Sequence, residues 1–202
     1  MTILNALAAL TLFAFVSSIT PGPNNLMLLS SGTRFGFRRT IPHMLGVSIG
    51  FALMIALVGF GLARLFTLYP QLQVALKVVS IIYLLYLAMK IATALPLAAG
   101  GSESIGTPMT FLQAAAFQWV NPKAWTMALT ALSAYMPPLN PWLGVLIVAL
   151  VFGLVNLPSV SIWAAMGMHL RRFLAEPTKL RVFNWVAAAL LVASLWPVVK
   201  GH

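Results

Sequence analysis

The chain has 202 residues, of which 61% are hydrophobic and only 7% are charged, and its formal net charge is +10. A soluble domain has about 25% charged residues, so two acidic and twelve basic residues exclude a soluble fold. A lipid-facing surface needs no polar cover, and the composition therefore predicts an all-α membrane protein. Short basic clusters between apolar stretches favour contact with anionic membrane lipid over a nucleic-acid partner.

Several absences narrow the function further. The chain has no cysteine, which excludes disulfides, thiolate metal sites and cysteine nucleophiles. No paired carboxylates, HExxH or GxSxG motif occurs, so we expect no enzyme activity, no metal and no cofactor. The first charge in the chain is Arg34, and an apolar segment without a preceding basic residue is expected to be retained as a span.

Six apolar stretches are long enough to cross a bilayer, which takes about 20 helical residues. The predicted spans cover residues 1–33, 40–63, 72–95, 111–135, 142–168 and 182–199. Residues 99–108 predict a linker between halves at 1–98 and 109–202. A basic loop with Arg171, Arg172, Lys179 and Arg181 is predicted between the last two spans. We expect a single transmembrane domain and no extramembrane domain.

The distribution of basic residues predicts the orientation. If the connection between spans 1 and 2 is cytoplasmic, only Arg64, Lys77 and Lys200 fall near the outer side. Cytoplasmic connections carry an excess of lysine and arginine. Both termini are therefore predicted to be periplasmic.

The first motif that could carry chemistry is Thr20-Pro21-Gly22-Pro23-Asn24-Asn25. Each proline removes a backbone donor and clashes with the carbonyl one turn earlier, so a regular helix cannot continue. In a membrane the freed carbonyls need protein partners or a water-lined cavity. Because an apolar run continues after Asn25, we favour a functional broken helix over an ordinary loop.

The second motif is Asn121-Pro122-Lys123, well inside span 4. Asn121 lies about 15 Å from the start of the span at 1.5 Å per residue, near mid-membrane. A lysine at the centre of a membrane helix costs about 2.5–3.5 kcal/mol on insertion scales and usually faces a cavity or a partner. The alternative is that Lys123 only extends toward the head groups around a proline kink.

The third motif, Asn156-Leu157-Pro158-Ser159 in span 5, is weaker, and we weigh a packing kink and a binding site equally. Gly46 and Gly50 predict close helix packing in span 2. His43 and His169 lie near predicted cytoplasmic ends, and an interfacial histidine is favoured over a pH sensor.

The first two motifs interrupt corresponding spans in the two three-span halves. Three spans per half require the second half to enter the membrane from the opposite side, which is a 3+3 inverted repeat with broken helices 1 and 4. Interrupted spans at matching positions are the best sequence indication of a transporter site.

Thr20–Asn25, Gly36-Phe37-Arg38 and Asn121-Pro122-Lys123 together resemble the LysE/RhtB family of bacterial amino-acid exporters, over essentially the whole chain. Residues 115–131 resemble the cysteine and O-acetylserine exporter branch most. The resemblance implies export of amino acids or their derivatives across the inner membrane. No acidic residue lies in an early span, which disfavours a basic substrate.

We therefore predict a secondary transporter for small amino acids that works by alternating access. The predicted substrate-binding residues are Pro21, Gly22, Pro23, Asn24, Asn25, Asn121, Pro122, Lys123, Asn156, Pro158 and Ser159. A coupling proton and a homo-oligomer are compatible with the sequence. The alternatives are a passive channel and an accessory membrane subunit without its own pore.

Overall fold

The computed structural model describes residues 2–62, 68–94, 107–174 and 176–196, and within these ranges every regular element is helical. The predicted all-α class is thereby confirmed. The helices are α1 (Ile3–Ile19), α2 (Pro23–Phe35), α3 (Phe37–Leu57), α4 (Pro70–Ala92), α5 (Phe111–Phe117), α6 (Pro122–Ala134), α7 (Pro141–Phe173) and α8 (Pro177–Ala193). A π-helical turn, Val58–Leu62, extends α3, and a 3-10 turn, Gln118–Val120, connects α5 to α6.

Proline sets where most helices begin. Helices α2, α4, α6, α7 and α8 each have proline at the first helical position, where the missing N–H costs nothing and the fixed φ favours the helix. Helix α5 begins instead with a capping box between Thr110 and Gln113, which satisfies two backbone donors.

Three helical segments are long and apolar enough to cross a membrane: Phe37–Leu62, Pro70–Ala92 and Pro141–Phe173. Helices α1 and α2 would together form a fourth span, bent by 53° at its break. Leu146, Leu150 and Leu154 form an exposed apolar stripe along α7, which suits contact with lipid. The chain is thus a helical membrane protein, while the six-span inverted repeat stays a prediction.

The predicted basic loop between the last two spans is wrong. Arg171 and Arg172 lie in the last turn of α7, where positive charge complements the helix dipole. Lys179 and Arg181 lie within α8, because Pro177 starts that helix immediately after a short connection. Helix α7 has 33 residues, or about 50 Å, and is therefore longer than a hydrocarbon core about 30 Å thick. Residues 95–106, most of the predicted linker, lie outside the described residues.

Helix α7 is the centre of the packing and contacts α1, α2 and α3, while α3 also packs on α5 and α4 packs on α8. Glycines allow the closest approaches. A Cβ on Gly50 would lie 2.5 Å from the Cα of Ala115 in α5, and a Cβ on Gly46 would overlap the carbonyl oxygen of Phe111. Close packing at these two glycines, as predicted, is confirmed. Gly32 and Gly167 similarly bring α2 and α7 together.

Candidate functional site

The break between α1 and α2 leaves backbone carbonyls without helical partners, and side chains satisfy them. Every carbonyl oxygen from Ser17 to Pro21 accepts a side-chain hydrogen bond. The bonds are Thr20 Oγ1 to Ser17 O (2.9 Å), Asn25 Nδ2 to Ser18 O (2.8 Å), Trp163 Nε1 to Ile19 O (3.0 Å), and Lys123 Nζ to Thr20 O (2.6 Å) and Pro21 O (3.3 Å). The break is therefore held in a defined shape by residues from α2, α6 and α7.

Lys123 of α6 points at this break, and its ammonium group also donates to Thr20 Oγ1 at 3.0 Å. The absence of a side chain at Gly22 makes room for it, because a Cβ there would lie 2.6 Å from the Cδ of Lys123. The lysine is half-buried. Its charge is thus held at the helix break, as expected for an inward-facing lysine and not for one that reaches head groups.

The second break is at Asn121. The backbone there is extended (φ −89°, ψ 109°), which separates the 3-10 turn Gln118–Val120 from α6. The Asn121 side chain is buried and accepts a hydrogen bond from the N–H of Lys123 at 3.1 Å. Pro122 follows as the first residue of α6. The local sequence therefore ends one helix and caps the next at the same position.

A pair of amide side chains joins the two breaks directly. Asn24 Nδ2 donates to Gln118 Oε1 at 2.8 Å, and Gln118 Nε2 donates back to Asn24 Oδ1 at 3.2 Å. Gln118 is completely buried and also donates to the carbonyl of Ala114. Gln118 is not among the site residues predicted from the sequence.

Asn156 connects the middle of α7 to two other helices. Its Nδ2 donates to Ser18 Oγ at 3.2 Å, and its Oδ1 accepts from Ser48 Oγ at 3.1 Å. Ser159, one turn later, instead donates to the carbonyl of Val155 in its own helix. Pro158 is exposed on the outer face of α7.

These groups enclose a polar cavity, which we call the break cavity. Six of the predicted site residues line it: Gly22, Asn24, Asn25, Asn121, Lys123 and Asn156. Pro21, Pro23 and Pro122 shape the breaks beside it, whereas Pro158 and Ser159 do not reach it. The lining residues that the prediction missed are Ser17, Ser18, Phe51, Gln118, Ala124, Met127 and Val160.

The missed polar residues carried a recognisable signal. Ser17 and Ser18 directly precede the proline break, and Gln118 lies three residues before Asn121, on the same side of a helical turn. Among the described residues that line the cavity, the only charged side chain is that of Lys123. The break cavity thus combines one positive charge with several amides and hydroxyls, and its free volume is about 20 Å³.

One protein family matches most of the chain. The family described as "LysE type translocator" matches residues 15–194. The chain belongs to the LysE family. The family resemblance inferred from the motifs is thereby confirmed, and membership of a translocator family means that the protein is a transporter and not an enzyme.

Several relatives of this LysE family chain carry the same name. "Cysteine/O-acetylserine efflux protein" of Klebsiella pneumoniae is 32% identical over 191 residues, covering 92% of this chain and 93% of the relative. The proteins of the same name from Salmonella typhimurium and Escherichia coli K12 are 32% and 31% identical, with the same coverage of both chains. No solved structure gives a significant match to the chain.

Proposed function

We propose that this LysE family protein is a secondary transporter that exports small neutral amino acids or their derivatives from the cytoplasm across the bacterial inner membrane. The observation that carries the proposal is the break cavity, where two interrupted helices present Lys123 and a set of amides to one enclosed space. The names of the relatives support a substrate of the cysteine or O-acetylserine type.

The cavity has groups for both ends of an amino acid. The N-cap residue of α2, Gly22, offers no side-chain acceptor, so the N–H groups of the first turn are available to a substrate carboxylate, together with the ammonium group of Lys123. Amide oxygens such as those of Asn25 and Asn121 suit a substrate ammonium group. Because no carboxylate of the described residues lines the cavity, a basic substrate side chain would find no counter-charge among them.

The site has little free space in the observed conformation. A free volume of about 20 Å³ has room for one water molecule and not for an amino acid. Substrate entry therefore requires α6 to separate from the α1–α2 break, which exchanges the bonds of Lys123 to Thr20 and Pro21 for a bond to the substrate carboxylate. A site that opens by separating its walls is what alternating access requires.

The packing supports the proposed inverted repeat of six spans. In that repeat α1–α2 corresponds to α5–α6, α3 to α7, and α4 to α8. The contact of α1 with α7 then has its counterpart in the contact of α5 with α3, and the pair α4–α8 is its own counterpart. Helix α8 has 17 residues, the lower end of the range for a span of about 17–25 residues. We place both termini in the periplasm and expect a proton or substrate gradient to drive export.

The test is transport by purified protein in liposomes. We expect saturable uptake of labelled O-acetylserine and cysteine that accumulates against its gradient when a pH gradient is imposed, with labelled lysine as the negative control. Flux that neither saturates nor accumulates would identify a passive channel. Activity in cell membranes that is absent from the purified protein would identify an accessory subunit.

A further inference from the structure

A second cavity of about 400 Å³ lies between α2, α3, α4 and the residues before α5. We call it the α2–α4 cavity. Its polar lining consists of Ser30, Ser31, Arg34, His43, Lys90 and Thr107. Unlike the break cavity, it is large enough for a small molecule in the observed conformation, and nothing in the proposed transport mechanism uses it.

The most informative residue in the lining is His43. Its side chain is only 1% exposed, and neither of its ring nitrogens has a hydrogen-bond partner within the described part of the chain. His43 is thus buried between helices, while its predicted position near the cytoplasmic interface stays a prediction. Imidazole always carries at least one N–H, and a buried donor without an acceptor is unfavourable. The cavity thus presents a donor that needs an oxygen ligand.

The charge of the cavity specifies what kind of ligand fits. Arg34 has a buried Nε without a hydrogen-bond partner among the described residues, and Lys90 adds a second positive charge from α4. The only carboxylate among the described residues is Glu176, which pairs with Lys179 at 2.7 Å. Guanidinium groups bind carboxylates and phosphates through parallel hydrogen bonds. The positive charge of this cavity therefore has no acidic partner in the described ranges.

We propose that the α2–α4 cavity binds an anionic group, a carboxylate or a phosphate, through the charges of Arg34 and Lys90 and an N–H of His43. The group could belong to a soluble small molecule or to the head group of an anionic lipid. Helix α2 connects the two cavities, since Asn24 and Arg34 lie ten residues apart, about 15 Å along the helix. The binding proposal does not depend on the proposed function, although the carboxylate of an exported amino acid is one such anion.

The test is NMR of protein labelled with ¹⁵N-histidine in phosphatidylcholine nanodiscs, titrated with sodium acetate or inorganic phosphate at constant pH and ionic strength. His43→Gln assigns the signal. We expect the His43 signals to shift saturably while those of exposed His169 do not. Arg34→Gln and Lys90→Gln should each weaken binding at least tenfold. Arg39→Gln removes the same charge from an exposed position outside the cavity and should leave binding unchanged.

Nanodiscs that contain phosphatidylglycerol distinguish the two sources of the anion. A His43 shift that appears with this lipid alone, and that Arg34→Gln and Lys90→Gln abolish, would assign the site to a lipid head group. No shift with acetate, phosphate or anionic lipid would mean that water alone satisfies His43, and the proposal would be wrong. Because the readout is binding at His43, a protein that fails to transport but retains the shift contradicts only the proposed function.

Discussion

The ammonium group of Lys123 donates a 2.6 Å hydrogen bond to the carbonyl oxygen of Thr20, which lies 103 residues earlier in the chain. The hydrogen bond offsets an unfavourable free energy at both partners, the ammonium group and the carbonyl. The carbonyl at a proline break has no helical donor, and a lysine inside a membrane helix is unfavourable by about 2.5–3.5 kcal/mol without a partner. The two breaks therefore stabilise one another, and neither is expected to keep its shape alone.

Lys123→Met keeps the length of the side chain and removes its donors. Pro21 O then loses its side-chain partner, and Thr20 O keeps only Asn25 Nδ2. We expect transport to fall at least tenfold in liposomes and the thermal unfolding temperature in detergent to decrease. Lys179→Met is the matched control, since its exposed pair with Glu176 contributes about 0–1 kcal/mol. Flux at the wild-type rate from correctly inserted Lys123→Met protein would remove Lys123 from the site.

The reciprocal bonds between Asn24 and Gln118 predict energetic coupling between the breaks. Replacing Gln118 by leucine removes the hydrogen bonds of the half-buried Asn24 amide to that residue, and replacing Asn24 by leucine leaves buried Gln118 with only its bond to the Ala114 carbonyl, whereas the double variant removes both amides. We expect the double variant to be more stable than the sum of the single effects predicts, by about 0.6 kcal/mol and at most about 1.7 kcal/mol, the average and the maximum measured in a membrane protein. The measurement is reversible unfolding in mixed detergent micelles. Strict additivity would mean that the two amides do not interact in the folded protein.

The sequence predicted the features of this site that are local. Pro21, Pro23 and Pro122 determine the breaks through their own backbone, so both breaks could be located without a structure. The pairing of Gln118 with Asn24 could not be inferred, because the two residues lie 94 positions apart in the chain and only the tertiary packing brings them together. The burial of His43 was unpredictable for the same reason.

Asn156 and Ser159 illustrate a different limit of sequence interpretation. They lie three residues apart and therefore on a similar face of α7, so periodicity cannot separate them. What separates them is that the Ser159 hydroxyl bonds to Val155 O in its own helix, while Asn156 reaches Ser18 and Ser48.

This difference gives a matched pair of variants. Asn156→Leu removes both interhelical hydrogen bonds and places an apolar side chain in the break cavity, so we expect transport to be lost and unfolding to become easier by about 1–2 kcal/mol. Ser159→Ala should transport at nearly the wild-type rate. The checks are initial rates in liposomes and unfolding in detergent. We assign Asn156 to the cavity and Ser159 to its own helix. Equal transport defects in the two variants would contradict this assignment.

Two glycines with different surroundings test the packing that positions the second break. At Gly50 an added Cβ would lie 2.5 Å from the Cα of Ala115, a backbone atom of α5 that cannot move alone, whereas at Gly153 the nearest atom is the Cβ of Ala52 at 3.4 Å. Gly50→Ala should therefore push α5 away from α3 and destabilise the fold by about 1–3 kcal/mol. Gly153→Ala meets only ordinary contact and gains up to about 1 kcal/mol of helix propensity, so its unfolding temperature should stay level or rise.

Gly50→Ala should also reduce transport, because α5 leads directly into Gln118. A Gly50→Ala protein as stable and as active as the Gly153→Ala protein would show that the breaks do not depend on this helix contact.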